Sequence, residues 1–586
     1  MLLSTHYTVG EIPHDNHPAP QARRENWLNL NGSWRLCVLE KDGKTARLQT
    51  QITVPFSSET LLSGVSTNEN PFVLQAGERL VYERSFTLQE NMLIGCIKLH
   101  FGGVDSYCEV YINGTLAGKH RGGYTPFALD ITALVNSGEN TVKVVCEDEG
   151  VRNGDARGKQ SDKAGGIWYT PHSGIWQTVW IESMPKTHIS GLRITPRIDE
   201  QSGERSVALR SVCGGEMQEV VVYDNGKEIL RERYQTEITL CYPFELWNPE
   251  SPKLYDMTIT SESGDSLHSY FGVRTFGMAR DKNGIARLTL NGKPYFFNGV
   301  LDQGYISDGF LTFPSDEAMV DDISLMKDMG FNTIRKHIKL EPMRWYYHCD
   351  RLGIVVWQDF VNGGGEYNYM HIAVLPFLGF HHRDDDYKYF SRERSEGREQ
   401  FMHALDETVD SLYNCTCIGV WVPFNEGWGQ FDSAKVCEYL RSKDNTRIID
   451  SVSGWHDQGV GKTALKSLHI YYTPLKVPKD KRPVVLSEFG GYSLQSKGHV
   501  FNEDKTFGYK VFKTQKSYVA AVEKLFIKKL KPLIKKGMCA AIYTQLSDVE
   551  EEINGLITYD RAVIKMPIEK MRAINAELYS EMQGVE

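Results

Sequence analysis

The chain lacks an excess of positive charge: 66 Lys and Arg stand against 75 Asp and Glu over 586 residues, a net charge of -9. Without a basic footprint for phosphate backbones, nucleic acid drops out as a partner. No stretch approaches the ~18 consecutive apolar residues of a membrane span. The opening "MLLSTHYTVGEIPHDNHPAP" lacks a basic stretch, and its apolar start is too short for a secretory leader. A cytoplasmic location is therefore expected. The eleven cysteines show no disulfide or zinc spacing. Only Cys415 and Cys417 stand close together, and a lone C-x-C lining a strand entrance is the simpler reading. Scattered thiols in odd number fit a reducing compartment. Solenoid-length repeats and low-complexity tracts are absent too.

What the chain does have is aromatics, with 11 Trp and 29 Tyr, side chains that stack on flat rings or sugars as readily as they fill cores. It is too long for one core, and its grammar changes twice. Residues 1–185 read as short strands with Gly and Asn turns. Asn113-Gly114 between "CEVYI" and "TLAGKH" is a strong hairpin signal. This region is expected to be a β jelly-roll sandwich. Residues 186–278 continue with short strands, fitting a small immunoglobulin-like β-sandwich. Over 279–586 apolar runs alternate with helical patterns, as in a parallel α/β structure. In "SDEAMVDDISLMKDMG", Met319, Ile323 and Met326 share a helical face, Ser315 suits the N-cap and Gly330 the stop. Eight candidate strands in this region predict a (β/α)8 TIM barrel, whose active residues lie at the C-terminal ends of the strands.

The strand ends are unusually polar. In order they carry Asp302-Gln303, Arg335-Lys336-His337, Trp357-Gln358-Asp359, Asn425-Glu426, Trp455-His456-Asp457, His469 with Tyr471-Tyr472, Ser487-Glu488, and Gln545 with Asp548. A single charge at a strand end is ordinarily solvated or paired, but eight polar ends together imply a site. Glu426 and Glu488 matter most. They fall on strands 4 and 7, which face each other across the barrel, so the two carboxylates can converge on one bond. Paired carboxylates suit glycoside hydrolysis, with a separation of about 5–5.5 Å for a retaining enzyme and about 6.5–9.5 Å for an inverting one.

The motifs "PFNEGWG" and "LSEFGG", the joint "YFGVRTFGMARDKNGIARLTLNGKPYFFNGVLDQGY" and "HSGIWQTVWIES" resemble glycoside hydrolase family 2, the family of β-galactosidases, β-glucuronidases and β-mannosidases. The likeness covers nearly the whole chain. It implies that Glu426 is the general acid/base, that Asn425 contacts the sugar 2-hydroxyl, and that Glu488 is the nucleophile of a double displacement. Glu426 must then carry a proton when the sugar arrives, a form favoured by burial and by the charge of Glu488. Once Glu488 is esterified, Glu426 can act as a base. Arg335 is a candidate to hold Glu488 ionised and Tyr471 to hydrogen-bond it, with Tyr472 as a rival one residue away. Asp302, His337 and Asp359 are candidate hydroxyl ligands, and Trp455 a candidate stacking wall. Gln545 occupies a position where family members often carry Trp, a departure that bears on the sugar.

These residues lead to an expected retaining exo-β-glycosidase acting first on a β-galactoside, with β-glucuronidase as the main rival. The Asn-x-Lys pattern that the resemblance implies for a uronate binder is missing: Asn502 and Lys505 in "NEDK" stand one residue too far apart. A mannosidase and an arabinopyranosidase remain as alternatives, and so do a carbohydrate-binding protein on an inactive scaffold and a structural interaction protein. The chemistry requires no cofactor. The resemblance allows a structural Mg2+ or Na+, and no catalytic metal is expected. Residues 361–390 form a long loop whose aromatics are candidates for the aglycone side. Its "HHRDDD" reads as solvated loop. The expected partner is a carbohydrate, without nucleic acid or membrane, and the β-domains are candidate contacts of a homo-oligomer.

Overall fold

The structure, a computed structural model, describes residues 3–150, 154–199, 201–459 and 465–582. Three bodies follow one another along the chain, each around its own apolar core. The first is the jelly-roll sandwich. A six-stranded antiparallel sheet faces a four-stranded one, with Trp34, Tyr82, Leu99, Phe101 and Val144 buried between them. Strand Gly32–Leu39 buries every second residue, the period of a half-buried sheet. Asn113 and Gly114, at φ +49° and +82°, join Tyr107–Ile112 to Thr115–Arg121, both in the left-handed region that a two-residue hairpin turn demands.

The second body has seven strands in two antiparallel sheets. Ser190–Ile198, Arg205–Val212 and Glu237–Cys241 form one. Gln218–Asp224, Lys227–Tyr234, Tyr255–Ser261 and Ser266–Phe271 form the other. Their inner faces meet over Val207, Leu209, Val220, Phe244, Met257 and Phe271, the immunoglobulin-like packing expected of alternating short strands.

The third body is the barrel. Its strands are β1 (Phe297–Asp302), β2 (Thr333–Lys336), β3 (Val355–Asp359), β4 (Ile418–Val422), β5 (Ile448–Ile449), β6 (Lys466–Ile470), β7 (Val484–Gly490) and β8 (Met538–Thr544). All are parallel, in the order β5-β4-β3-β2-β1-β8-β7-β6. Helix α1 (Asp316–Asp328) starts where the Ser315 side chain accepts the Ala318 N–H, a cap of about 1 kcal/mol. It buries Met319, Ile323 and Met326, and Gly330 turns the chain at φ +84°.

Several strands are shorter than the sequence implies. β4 stops at Val422 because Pro423 has no N–H to give the ladder. Asn425 then reaches only an isolated bridge to Ser453. β5 is two residues long, and among the described residues no ladder joins it to β6. β7 is irregular at its end: its ladder with β6 skips Ser487, and its ladder with β8 skips from Leu486 to Phe489. A bulge there lets the adjacent Ser487 and Glu488 both face the barrel interior, which strict alternation forbids.

Among the described residues no helix is long and apolar enough to cross a membrane. The cysteines are free thiols. Burial pushes those of Cys415 and Cys417 well above the usual thiol range, so the pair lines the barrel as inert small side chains.

Candidate active site

Glu426 and Glu488 converge on one point of the barrel mouth. Carboxylate oxygens of both and a ring nitrogen of His469 all lie within 4.8 Å of one another. That approach fits the retaining geometry better than the wider spacing of an inverting pair.

Each carboxylate is held differently. Glu488 accepts from Arg335 Nη1 at 3.1 Å and from the Tyr471 hydroxyl at 2.5 Å. Burial alone would raise its carboxyl. The neighbouring His469, Arg335 and His337 and the Tyr471 hydroxyl outweigh burial and hold it well below the usual carboxylate range. Its ground state is an anion beside Glu426. Glu426 Oε1 lies 2.6 Å from His469 Nδ1, and its Oε2 accepts from Trp428 Nε1 at 3.2 Å.

The stretch "NEGWG" explains how Glu426 is presented. Glu426 has φ +52°, a left-handed backbone that a non-glycine residue keeps only where its surroundings enforce it. Its N–H donates to Ser453 O at 2.8 Å. Gly427 follows at φ +90°, where a Cβ would stand 2.5 Å from the His456 ring. Glycine lets the loop close over His456 while the glutamate turns inward.

Arg335, with no exposed side-chain surface, ties the site together. Its Nε and Nη2 donate to both oxygens of Asp359 at 3.0 and 2.8 Å. Nη2 also reaches Asn425 Oδ1 at 2.9 Å, and Nη1 reaches Ser487 O at 3.2 Å as well as Glu488. The Oδ1 of Asn425 is thereby engaged inside the protein. The second oxygen of Asp359 also meets His337 Nδ1 at 2.7 Å, so Asp359 is chiefly an internal anchor for Arg335 and His337. Burial lowers the His337 imidazole below its usual value.

Other expected residues are placed elsewhere. Asp302 is bound by Lys336 and the Gly304 N–H and is buried, an internal ion pair rather than a hydroxyl ligand. Gln545 accepts from Gln303 at 3.0 Å and donates to Asn554 Oδ1 at 2.8 Å, so both ends of its amide are used inside the protein. Tyr472 is 74% exposed: Ser467, His469 and Tyr471 share the inward face of β6 and its continuation, and the period of two sends Tyr472 outward. Trp455 packs edge-on against His469, centroids 6.3 Å apart. Asn502 caps the Asp504 and Lys505 N–H groups, and Lys505 pairs with Glu551. In "HHRDDD", Arg383 pairs with Asp385 and Asp384 accepts from Gln430 and Ser433. Asp384 is anchored by the rest of the protein, while Arg383 and Asp385 are exposed as a solvated loop implies.

Some residues gathered near this point were not singled out from the sequence. His469 bridges the two glutamates, and Tyr509 stacks on Tyr471 at 3.7 Å and 3°. An aromatic wall gathers Trp168 from the first body, Tyr367 and Tyr369 from the 361–390 loop, and Trp428, with centroids 5.1–5.5 Å apart. Lys159, also from the first body, has no carboxylate within ion-pair distance among the described residues, yet its charge acts on His337 and Glu552. The trio Glu426, His469 and Glu488 is the one group with metal-ligand spacing among the described residues. A guanidinium and a phenol already donate to Glu488, an arrangement that suits an anionic nucleophile better than a bound cation.

Family comparison decides the lineage. Residues 282–574 match the model described as "Glycosyl hydrolases family 2, TIM barrel domain". Residues 29–184 match the family's sugar binding domain, and 187–278 a further family 2 domain. The chain belongs to glycoside hydrolase family 2. It is 24% identical over 521 residues to a beta-galactosidase of Priestia megaterium, covering 83% of this chain and 47% of that protein. It is 25% identical over 451 residues to a beta-galactosidase of Thermoanaerobacter pseudethanolicus, covering 71% and 54%. The chain thus spans about half the length of the curated relatives it matches. Among solved structures, a beta-glucuronidase of an uncultured Clostridium sp. superposes with TM-score 0.73 at 17% identity, covering 96% of this chain and 99% of that one. A GH2 beta-galacturonidase of Eisenbergiella tayi superposes with TM-score 0.69 at 18% identity, covering 97% and 98%. At these identities the superpositions speak to the fold alone.

Proposed function

We propose that this family 2 protein is a retaining exo-β-glycosidase, with Glu488 as nucleophile and Glu426 as acid/base. The observation that carries the reading is the approach of the two carboxylates to within 4.8 Å, one of them fixed as an anion by Arg335 and Tyr471. Glu488 attacks the anomeric carbon as Glu426 gives its proton to the glycosidic oxygen. The aglycone leaves as an alcohol and a glycosyl ester remains. Water then gives a proton to Glu426 and its oxygen to the anomeric carbon, and Glu488 departs as carboxylate. Asn425 NH2 faces the sugar, and the Trp168–Tyr367–Tyr369–Trp428 wall receives the aglycone. The reaction needs no cofactor.

The sugar is first a β-galactoside, supported by the names of the two beta-galactosidases above, although another curated relative, 29% identical over 354 residues, is named "Putative beta-glucuronidase". A second reading, a β-uronide, rests on Lys159: an ammonium without a carboxylate partner near His337 is free to meet an anionic sugar. Turnover of nitrophenyl galactoside, glucuronide, galacturonide, mannoside and arabinoside decides between them. Glu488→Gln should abolish turnover of every substrate. Glu426→Gln should spare the first step only where the leaving group needs little protonation. Binding without hydrolysis of any member of the panel would refute the enzymatic reading.

A further inference from the structure

The seam between β5 and β6, where no backbone ladder forms, is closed by side chains. His469 Nε2 lies 2.8 Å from Ser453 Oγ, and Ser453 Oγ lies 2.9 Å from Ser487 Oγ. Ser487 Oγ lies 2.5 Å from Ser467 Oγ, which donates to Asp450 Oδ2 at 2.8 Å. With the 2.6 Å contact between His469 Nδ1 and Glu426, an unbroken run of hydrogen bonds leads from the acid/base to a fully buried carboxylate.

We propose that Asp450 is a positioning residue that sets the proton on Glu426 through Ser467, Ser487, Ser453 and His469. The inference rests on the glycosidase reading above.

The chain of bonds has two self-consistent directions. In one, Glu426 O–H donates to Nδ1, Nε2–H donates to Ser453, and each serine passes its bond on until Ser467 donates to ionised Asp450. In the other, every bond is reversed: protonated Asp450 donates to Ser467, Ser453 donates to Nε2, and Nδ1–H donates to ionised Glu426. The proton count is the same in both. One proton has shifted along each link, and the imidazole has exchanged tautomers. A carboxylate at Asp450 therefore favours a proton on Glu426, the form needed to expel the aglycone.

Two features of Asp450 suit this role. Its Oδ1 is buried with no hydrogen-bond partner among the described residues, a costly position for a permanent anion. Burial also pushes its carboxyl up to about 6, against the opposing pull of Arg335, Ser467 and His469. Arg335 from β2, Asp359 from β3 and His469 from β6 act on Asp450. Glu426 is faced by Glu488, His456 and the phenols of Tyr369, Tyr471 and Tyr509.

The test compares Asp450→Asn and Ser467→Ala with wild type. It follows kcat/KM from pH 5 to 9 on a phenyl glycoside, which needs protonation, and a dinitrophenyl glycoside of the same sugar, which does not. The expected result is an alkaline limb moved down by at least about half a unit on the phenyl substrate, and unchanged first-step rates on the dinitrophenyl one. Coincident limbs, or equal losses on both substrates at every pH, would overturn the proposal. Ser467→Ala removes a single oxygen and carries the decision if Asp450→Asn does not fold. A wild-type enzyme inactive on all sugars would instead refute the glycosidase reading.

Discussion

Arg335→Lys is the perturbation that reads the site most directly. Lysine keeps the charge, but its single ammonium cannot span Asp359, Asn425 and Glu488 as the guanidinium fork does. With Asp359 the stronger, bidentate partner, the ammonium is expected to stay there and leave Glu488. Loss of one hydrogen bond to a charged group is worth about 1.5–3 kcal/mol, which at about 1.36 kcal/mol per unit raises the Glu488 carboxyl by one to two units. The direction follows from the depressed carboxyl of Glu488. Its ionised form contributes fully above the unfolded value of about 4.3 and is lost as pH falls through the folded value. The wild-type acid limb of kcat/KM should therefore lie below about 4.3, and that of Arg335→Lys one to two units above the wild-type limb. Far-UV circular dichroism across the same pH range separates this shift from unfolding, which matters because disturbing a buried ion pair costs about 3–5 kcal/mol. Superimposable acid limbs in folded enzyme would refute the idea that Arg335 keeps the nucleophile ionised.

Tyr471→Phe deletes the hydroxyl on Glu488 Oε2 while keeping the ring stacked on Tyr509. It should lower kcat by about 10- to 100-fold, whereas exposed Tyr472→Phe should be silent in the same assay. Lys159→Met should raise KM for a uronide at least about tenfold and leave a galactoside unaffected; equal effects on both would remove Lys159 from sugar selection. In the first body, burial pushes the Glu59 carboxyl up to about 7. Because the folded value is raised, stability falls as pH rises from about 4.5 through the folded value. Glu59→Gln should therefore gain melting temperature over wild type at pH 8 but not at pH 5, as read by scanning calorimetry.

The barrel and both glutamates were legible because each follows a local rule: apolar runs alternate with helices, and polar groups sit where the runs end. Tyr471 was legible only as one of two, since the period of two needs a register. Asp302, Asp359 and Gln545 show the limit of that logic. A polar residue at a strand end satisfies the pattern equally well whether it meets a ligand or a neighbour, and here Lys336, Arg335 and the Gln303–Asn554 pair reach them first. His469 was visible at a strand end, but its bridging role depends on an angle between strands that no sequence spacing encodes. The bulge at Ser487 is equally silent, although it determines that Ser487 and Glu488 share one face.

The least legible residues come from the first body, and the proposed function makes them the ones that bear on the choice of substrate. The segment from 154 to 171 runs over the barrel mouth. Arg157 donates to Gly364 O at 2.5 Å, Tyr169 to Glu552 at 2.5 Å, the Thr170 N–H to Glu550 at 2.9 Å, and Trp168 to the Tyr369 hydroxyl. These bonds bring Trp168 against Trp428, beside a glutamate more than 250 residues further along the chain. On the proposed reading, catalytic chemistry and substrate choice would be divided between bodies: the barrel holds the two carboxylates, and the sandwich supplies part of the aromatic wall. Trp168→Ala should accordingly raise KM for aryl glycosides without moving either limb of the pH profile. A shifted limb would mean that the wall acts on the carboxylates, and the division of roles would fail.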